Sequence, residues 1–564
     1  MSLEQIKASS GLLRGSIGEE LDDGGDQFAK DTTQLLKFHG IYQQDDRDVR
    51  RERGRLGLGK DFSCMVRASI PGGALTGEQY LVMDRLADAV GNGTLRITTR
   101  QGLQYHFVRK GDLRGLVRAL NDELVTTLAA CGDVARNVMG CPAPLRDRVS
   151  AQVMASAIEL GRHLRPQTQA YWQLWVDGER AASLVAEDGD GTDEPLYGPT
   201  YLPRKFKVGF AFPGDNCVDA YTHDIGIVPS VAGGEVVGYT LIVGGGLGMS
   251  HNKPSTYPRL GDPVGVVAPR DLIATVKAVI GIQRDHGDRE DRKHARMKYL
   301  VAEWGIDAFR TELERRLGWP LARPGPLAWP HTSDHLGWHG QGDGRAFLGL
   351  AIPSGRIQDN GAGYRSAIRE AVEQFGSNVR LTPRQDLLLT DVAEADRSGV
   401  EELVRAHGVP LAERLAPSVR AAMACPALPT CGLALTEAER VMPVLIEGFQ
   451  AELEQLGLGD EAIHLRMAGC PNGCSRPYST EIGIVGRGKN HYTVFLGGDA
   501  HGTRLNTPFA DRVAFNELLD VLRPVLTFYR VERLSGERFG DFCARIGPEV
   551  LRIRGQEMPQ PVAG

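Results

Sequence analysis

Four cysteines near the C-terminal end have the type and spacing of ligands for a large inorganic centre. Cys425 and Cys431 lie in the segment ACPALPTC, and Cys470 and Cys474 lie in GCPNGC. A structural zinc site usually takes its ligands from tight C-x2-C pairs, whereas these pairs are C-x5-C and C-x3-C in Pro- and Gly-rich loops. Four thiolates in such loops suit a cubane iron–sulfur cluster. The spacing therefore predicts a metal centre whose chemistry is electron transfer.

A second group of candidate residues is basic. In TLRITTRQGLQYHFV, from Thr94, a strand with a period of two would place a polar row on one face, about 13 Å long between Arg96 and Arg100. Such a row suits the anionic groups of a broad, flat ligand, and the alternative is a solvated strand face. The row consists of Arg96, Thr98, Arg100, Gln104 and His106.

The segment YLPRKFKV, from Tyr201, would be a second basic strand. Lys205 and Lys207 would share one face, where like charges repel unless an anion or an acid lies between them. Arg67 and Arg136 are further cations near turns. The alternative for each of these residues is an ordinary surface ion pair. GGGLG, from Gly244, lacks dinucleotide-site spacing and is expected to be a strand end that a cofactor or a turn approaches closely.

Internal repeats indicate how the chain positions these groups. TLRITTRQGLQYHFV is echoed by NVRLTPRQDLLLTDV, from Asn378, and HDIGIV, from His223, is echoed by TEIGIV, from Thr480. Two modules therefore each occur twice, in the order A-B-A′-B′. Strand-like and helix-like stretches alternate, so we expect an α+β (mixed α/β) fold with pseudo-two-fold symmetry from gene duplication.

The expected boundaries follow from the repeats. Residues 1–60 form a charged N-terminal arm, residues 61–128 and 340–408 form A and A′, and residues 129–335 and 409–564 form B and B′. The segment from Arg323 to Gly344 is rich in Pro, Gly and His and is expected to be a linker.

The composition narrows the class of protein. The 564 residues suggest about three or four domains, and the formal net charge of −6 argues against a nucleic-acid binder. No apolar run approaches the roughly 20 residues that span a bilayer, and no secretory signal is present, so we expect a cytoplasmic location without a membrane partner. Five further cysteines form no disulfide framework, and we expect them to be buried and to pack as small hydrophobic residues. They are Cys64, Cys131, Cys141, Cys217 and Cys543.

With these residues in view, the chain resembles the siroheme-dependent sulfite and nitrite reductases over nearly its whole length. The motifs that carry the resemblance are LLRGSIGEELDDG (from Leu12), KFHGIYQQDDRDVR (from Lys37), LRITTRQGLQYH, YLPRKFK, ACPALPTC, GCPNGCSRPY and GERFGDF (from Gly536). The resemblance implies paired ferredoxin-like repeats for A and A′, with siroheme and a 4Fe-4S cluster at the centre of the fold. It implies that B binds siroheme and substrate and that B′ binds the 4Fe-4S cluster and siroheme.

The same resemblance implies roles for individual residues. Cys425, Cys431, Cys470 and Cys474 would bind the cluster, and Cys474 would also be the axial ligand of siroheme. The implied siroheme contacts are Arg96, Arg100, Gln104, His106, Arg204 and Asn472. The implied substrate-side cations are Arg67, Arg136, Lys205 and Lys207.

The resemblance also implies the reaction and its alternatives. It implies six-electron reduction of sulfite to sulfide in sulfur assimilation, with nitrite reduction to ammonia as the alternative. Lys205-Phe206-Lys207 favours sulfite, because nitrite enzymes tend to have Asn at the second lysine. The electron donor would be an NADPH-dependent flavoprotein subunit or a ferredoxin. The segment Arg284 to Lys298 is either a docking face for an acidic ferredoxin or a solvated helix of mixed charge. A remote alternative of another class is a non-catalytic zinc or iron–sulfur protein.

Overall fold

Two pairs of related sheets form the framework of the molecule. The computed structural model describes residues 1–168, 173–176, 179–183 and 194–557. The fold is mixed α+β, and sheets A, B, A′ and B′ follow the duplicated order of the sequence repeats. Two small hairpins, Gln173–Val176 with Glu179–Ser183 and Asp359–Asn360 with Ala362–Gly363, complete the strands of the described residues.

Sheets A and A′ exchange their edge strands. Each has five strands, and the outermost strand of each comes from the other copy, directly after the IPGG or IPSG turn. Arg356 pairs with Arg96 in sheet A, and Ala74 pairs with Arg380 in sheet A′. In spatial order, sheet A contains Ile41–Asp45, Phe62–Arg67, Leu103–Val108, Leu95–Ile97 and Arg356–Ile357. Sheet A′ contains Gly337–Gly340, Arg345–Leu350, Leu387–Ala393, Asn378–Leu381 and Ala74–Leu75.

The basic stretch of the first copy is a hairpin, and the expectation of one continuous strand was wrong. The chain turns back between the strands Leu95–Ile97 and Leu103–Val108. Thr98 Oγ1 accepts hydrogen bonds from the backbone N–H groups of Arg100 and Gly102, and Gln101 takes a left-handed conformation. These side-chain-to-backbone bonds compete with strand pairing, as threonine side chains often do, and Gly102 suits a turn. Arg96 therefore lies opposite Gln104, and Arg100 lies at the tip of the hairpin.

Sheets B and B′ share a topology. Each pairs its first long strand in parallel with a preceding strand and then continues antiparallel. Sheet B contains Val208–Phe210, Ile225–Ala232, Glu235–Val243 and Asp262–Val267. Sheet B′ contains Met423–Ala424, Leu465–Ala468, Ile482–Gly488, His491–Leu496 and Thr507–Ala514.

Helices cover these sheets and enclose three main apolar cores. One core lies in B, one in B′, and one is shared by A and A′, as expected for copies that exchange strands. The arm and A contain Leu3–Ala8, Ile17–Leu21, Lys30–Leu36, Arg50–Arg55, Gly77–Val90 and Leu113–Asp122. B contains Arg148–His163, Leu272–His286, Met297–Trp304 and Ile306–Leu317, and A′ contains Tyr364–Phe375 and Arg397–Ala406. B′ contains Pro417–Arg420, Met442–Gln455, Leu518–Glu532, Phe539–Ile546 and Pro548–Glu557.

Within the described ranges, none of these helices has the length and apolar character that crossing a bilayer requires.

Candidate metal centre and anion site

The two cysteine pairs leave the same end of sheet B′. Cys425 directly follows the strand Met423–Ala424, and Cys470 comes two residues after the parallel neighbour Leu465–Ala468. The Cys425 N–H donates to the Met467 carbonyl at 3.2 Å, which fixes the two strand ends together. Because parallel strands end at one edge, the loops that carry Cys431 and Cys474 meet there as well.

The thiols of this group act on one another electrostatically. Burial, followed by the charges of the other cysteines, raises the pKa of Cys425 well above its usual value. Burial and then Cys474 raise the pKa of Cys470 to about 11. Four neighbouring thiols cannot all ionise in a buried site unless a cation compensates them, and bound iron supplies that charge. Cys425 and Cys470 are buried, Cys431 is half-buried and Cys474 is exposed. The donor set therefore fits a four-thiolate cluster with one sulfur facing open space.

Glycines allow a neighbouring loop to pack against the second cysteine pair. A Cβ on Gly248 would lie 3.1 Å from the Asn472 carbonyl oxygen, and a Cβ on Gly245 would lie 2.1 Å from that of Tyr221. The Met249 N–H donates to the Pro471 carbonyl at 2.9 Å. The GGGLG segment is thus a strand end approached closely by turns, as the sequence indicated.

The hairpin tip carries Arg100 into the space between modules A and B. Its guanidinium donates to the carbonyls of Asn137 at 2.5 Å and Val208 at 3.1 Å, and one nitrogen lies 3.2 Å from His223 Nδ1. Its Nε is buried without a partner. Burial, and then the charge of Arg136, lowers the pKa of Arg100 to about 9. This cation is therefore under-compensated, which favours an anion beside it.

The lysines of the PRKFK segment lie in the same excess of positive charge. Regular strand begins only at Val208, but the Phe206 backbone bonds to Val134 and Arg136, which puts Lys205 and Lys207 on one side. Burial, followed by neighbouring guanidiniums, lowers the pKa of each lysine well below its usual value. Cys474 has the opposite effect on Lys207, so this ammonium lies within electrostatic range of the exposed sulfur.

Arg204 and Arg136 extend the positive region. Burial, and then Arg292, lowers the pKa of Arg204 to about 10. The Arg136 Nε is buried without a hydrogen-bond partner. Because burying unpaired charge is costly, such a collection of cations fits a ligand with several acidic groups.

Two of the expected contacts are held by protein partners. The Arg96 Nε and the Arg356 Nε each donate to the Glu439 carboxylate, at 2.8 and 2.7 Å. Arg356 Nη1 also lies 3.1 Å from His106 Nδ1, and burial followed by the two guanidiniums lowers the pKa of His106 well below its usual value. Neutral His106 and paired Arg96 line the site as a hydrogen-bonded wall and contribute little free charge.

Gln104 and Arg67 also interact. With its amide oxygen turned toward Arg67, Gln104 accepts from Nη2 at 2.7 Å and from Nε at 3.2 Å. Arg67 Nη1 lies 2.9 Å from Cys131 Sγ. Asn472 Nδ2 lies 3.5 Å from Cys470 Sγ, so this amide belongs to the cysteine loop.

The structure adds buried acids that the sequence did not single out. Asp224 accepts from the Lys207 N–H at 2.9 Å and from Arg296 at 2.8 Å, and so positions the lysine segment. Asp219 pairs with Arg466 at 2.8 Å and with Arg476 at 2.7 Å. Arg476 follows Cys474 by two residues, within the quoted motif GCPNGCSRPY, and this proximity was the available signal.

The basic segment from Arg284 to Lys298 is not one solvated helix, and that interpretation of it was wrong. The helix ends at His286, and its successors turn inward. Arg289 pairs with Glu4, Arg292 donates to Asp133 at 2.7 Å, and Lys298 donates to the Gly248 carbonyl at 2.9 Å. These three cations are engaged by acids and carbonyls, whereas Lys293 is exposed, and docking of an acidic ferredoxin at this segment stays a prediction.

The N-terminal arm reaches both functional segments. Lys7 is buried and donates to the Leu202 carbonyl at 3.0 Å, just before PRKFK. Arg47 Nη1 donates to the carbonyls of Cys431 at 3.2 Å and Ala434 at 2.6 Å. The strand Ile41–Asp45 of this arm also forms the edge of sheet A.

A four-thiolate centre beside a cluster of under-compensated cations defines a class of protein: an oxidoreductase that delivers electrons to a small anion. Comparison with known families agrees with that class. The nitrite and sulphite reductase 4Fe-4S domain matches residues 160–321 and 416–558, and the nitrite/sulfite reductase ferredoxin-like half domain matches residues 58–123 and 339–407. The chain belongs to the nitrite and sulphite reductase family.

Individual relatives cover almost the full length. The sulfite reductase (ferredoxin) of Synechococcus elongatus is 46% identical over 98% of this chain and 90% of the relative. The sulfite reductase (NADPH) hemoprotein beta-component of Myxococcus xanthus is 45% identical over 97% of this chain and 96% of the relative. The solved structure of Mycobacterium tuberculosis NirA superposes with a TM-score of 0.78 at 25% identity, covering 97% of this chain and 95% of that one.

Proposed function

We propose that this chain reduces sulfite to sulfide in a six-electron reaction, with nitrite as a second substrate. The observation that carries the proposal is the position of Lys207, which lies in a cluster of cations and within electrostatic range of Cys474. A small dianion in this cluster would be held beside the exposed thiolate of the metal centre. Lys205 and Lys207 favour sulfite over nitrite, and the named activities of the relatives support the same substrate.

The cysteines have distinct parts in this proposal. Cys425, Cys431, Cys470 and Cys474 would hold the 4Fe-4S cluster, and Cys474 would also be a ligand of siroheme. Siroheme and the cluster, when bound, supply an iron that takes the anion and a store of single electrons. Cys474 suits the shared role because its side chain is exposed, whereas those of Cys425 and Cys470 are buried.

The polar wall would hold the acidic edge of siroheme. Arg100 and Arg204 supply the free charge, since burial leaves both guanidiniums short of counter-ions. Arg96 and His106 are oriented by Glu439 and Arg356. Gln104 and Asn472 supply neutral hydrogen bonds at either side.

The substrate-side cations would bind the oxyanion and move protons. Arg67 and Arg136 hold fixed charge, because guanidiniums stay protonated. Burial, followed by neighbouring guanidiniums, holds the pKa of Lys205 and of Lys207 well below the usual lysine value, so each loses a proton more readily than an ordinary lysine. An anion beside them raises those pKa values again and so loads both lysines with the protons that departing oxygens need.

The relatives narrow the donor to two classes without choosing between them. One is named for ferredoxin and another for NADPH. We propose a separate electron-donor protein of one of these two kinds. Steady-state turnover with a reduced ferredoxin, compared with a reduced flavoprotein at equal concentration, distinguishes them by the higher kcat/KM.

The decisive experiment supplies electrons chemically. Purified holoenzyme is reduced with a viologen dye, given sulfite or nitrite separately, and assayed for sulfide and ammonia. We expect sulfide formation with a higher kcat/KM than ammonia formation. Ammonia as the only product would assign the chain to nitrite, and neither product with a full tetrapyrrole spectrum would overturn the proposal.

A further inference from the structure

A second group of metal-ligand side chains lies away from the four-cysteine centre, in module B. Cys141, Cys217, Asp215 and His335 are all buried, and their ligand atoms lie within 4.8 Å of one another. Cys141 Sγ is 3.4 Å from His335 Nε2, which is 3.8 Å from an Asp215 carboxylate oxygen. The sequence predicted isolated buried thiols and a linker, and the burial of the five scattered cysteines is confirmed. The structure nevertheless brings two of the thiols and the linker histidine together.

The duplication explains why this cluster exists. Cys141 in MGCPAP matches Cys425 in MACPAL, and the register that aligns HDIGIV with TEIGIV places Cys217 on Cys474. The backbone agrees, because Met139 forms a parallel bridge beside Cys141 as the strand Met423–Ala424 does beside Cys425. Arg380 acts electrostatically on Cys141 as Arg96 acts on Cys425. Module B therefore keeps two of the four cysteine positions of the metal centre.

We propose that Cys141, Cys217, His335 and Asp215 bind a Zn²⁺ ion. Two thiolates, an imidazole and a carboxylate form a donor set that zinc accepts in tetrahedral geometry. With Zn–S near 2.3 Å and Zn–N near 2.0 Å, sulfur and nitrogen ligands lie about 3.5 Å apart, and nitrogen and oxygen about 3.3 Å. The sulfur–nitrogen separation of 3.4 Å already matches, and the nitrogen–oxygen separation of 3.8 Å requires a contraction of about 0.5 Å.

The surroundings hold the four ligands in place. One Asp215 carboxylate oxygen accepts the backbone N–H groups of Cys217 at 3.0 Å and Ser333 at 3.1 Å, which leaves the other oxygen toward His335. Bonds of this kind orient metal ligands. His335 itself has a left-handed backbone (φ 59°), which costs about 1 kcal/mol for a residue other than glycine. The position of this imidazole therefore has an energetic cost.

Charge favours a divalent ion here. Two thiolates and a carboxylate carry three negative charges, of which Zn²⁺ neutralises two. The Arg380 guanidinium, within electrostatic range of Cys141 and with a buried unpartnered Nη1, supplies the third.

The ion has a route to the cluster. A cavity of about 590 Å³ reaches Cys141, Asp215 and His335 and is also lined by His331 and His339. Imidazoles along such a cavity bind zinc transiently and can pass it inward. A metal site needs both a matching donor set and an entry path, and this one has both.

The test uses intact holoenzyme, because zinc can be counted independently of iron and of activity. Protein expressed with zinc in the medium is gel-filtered and measured by inductively coupled plasma mass spectrometry. We expect about one zinc per chain, falling at least fivefold in Cys217→Ser and His335→Gln. The matched control is Cys64→Ala, which removes another buried thiol and should keep the zinc.

Cobalt gives a second readout. Growth with Co²⁺ should add thiolate-to-cobalt charge-transfer absorption that Cys217→Ser lacks and Cys64→Ala keeps, while the tetrapyrrole bands stay the same in all three proteins. Wild-type protein with neither zinc nor this absorption would overturn the proposal, whether or not the variants fold. A Cys141–Cys217 disulfide found by mass spectrometry in freshly purified protein would overturn it too.

Discussion

Replacing Lys207 by methionine separates the binding of the anion from the stability of the fold. Methionine keeps most of the apolar stem and removes only the ammonium, whose pKa is lowered well below its usual value by burial and then by Arg296 and Arg100. The Lys207 backbone N–H still donates to Asp224 at 2.9 Å, so the segment should stay in place. The substitution therefore removes one charged donor from the cation cluster and little else.

Removing one preorganised donor to a developing oxyanion usually costs about 10²–10³ in rate, or roughly 3–4 kcal/mol of transition-state free energy. We expect kcat/KM for sulfite to fall by that factor. The free energy of unfolding of Lys207→Met should rise. Because burial disfavours the ammonium in the folded chain, protonation of the unfolded chain below its pKa of about 10.4 favours unfolding. That penalty grows from about pH 10.4 down to the lowered pKa of the folded state and stays at its full size below it, and methionine removes it.

The assay measures sulfide release with a chemical reductant, and the visible spectrum and melting temperature are recorded on the same samples. Lys60→Met is the matched control, since that side chain is 52% exposed and lies at the surface. We expect Lys207→Met to lose turnover, keep its tetrapyrrole bands and melt no earlier than wild type at pH 7. Unchanged turnover would refute the anion-binding role of Lys207. A loss of turnover together with a lowered melting temperature would show that the substitution also damages the fold.

Three further substitutions test other parts of the site. Cys474→Ser should abolish the visible bands of the holoenzyme, and normal spectra would place the axial ligand elsewhere. Glu439→Gln leaves two buried guanidiniums without their carboxylate and should lower the free energy of unfolding by about 3 kcal/mol at pH 7 in urea titrations. Although burial raises the Glu439 pKa, the guanidiniums lower it overall, so the deficit should be full above about pH 4.3 and shrink below it; a pH-independent deficit would contradict this. Gly245→Ala places a Cβ 2.1 Å from a carbonyl oxygen and should reduce soluble holoenzyme, whereas Gly325→Ala, in open space, should not. Equal yields would show that the loop can shift.

Patterns that depend on local chemistry could be predicted from the sequence, and those that depend on distant partners could not. The repeats gave the duplicated α+β architecture, since each echo keeps its own turn and hydrophobic alternation. The prediction of a continuous strand through Arg100 was wrong, because Thr98 and Gly102 close a turn that an alternating pattern does not reveal. The ion-pair partners of the buried cations could not be predicted from the sequence either. Glu439 is 343 residues from Arg96 in the sequence, and no local spacing of residues predicts such a pair.

The same limit explains the basic segment after His286. Its charges look like a solvated helix because their acids, Glu4 and Asp133, come from the arm and from the start of module B. Buried ion pairs add little net stability, but they fix geometry strongly once formed, since breaking one leaves a buried charge unpaired. In this chain they fix the segment beside PRKFK, so the positions of Lys205 and Lys207 depend on contacts that are remote in sequence.

The duplicated halves carry two different sets of metal-ligand side chains on one backbone plan. In B′, Cys425 directly follows the parallel strand Met423–Ala424, and in B, Cys141 follows the isolated parallel bridge at Met139 by two residues. In B′ the next loops add Cys431 and Cys470, whereas the equivalent loop and linker of B add Asp215 and His335. A four-sulfur set suits iron and electron transfer, and a mixed set of sulfur, nitrogen and oxygen suits a redox-inert ion. If zinc is found in module B, the asymmetry of function follows from ligand substitution on a symmetric scaffold. If module B holds no metal, the retained cysteine positions must be explained by packing alone.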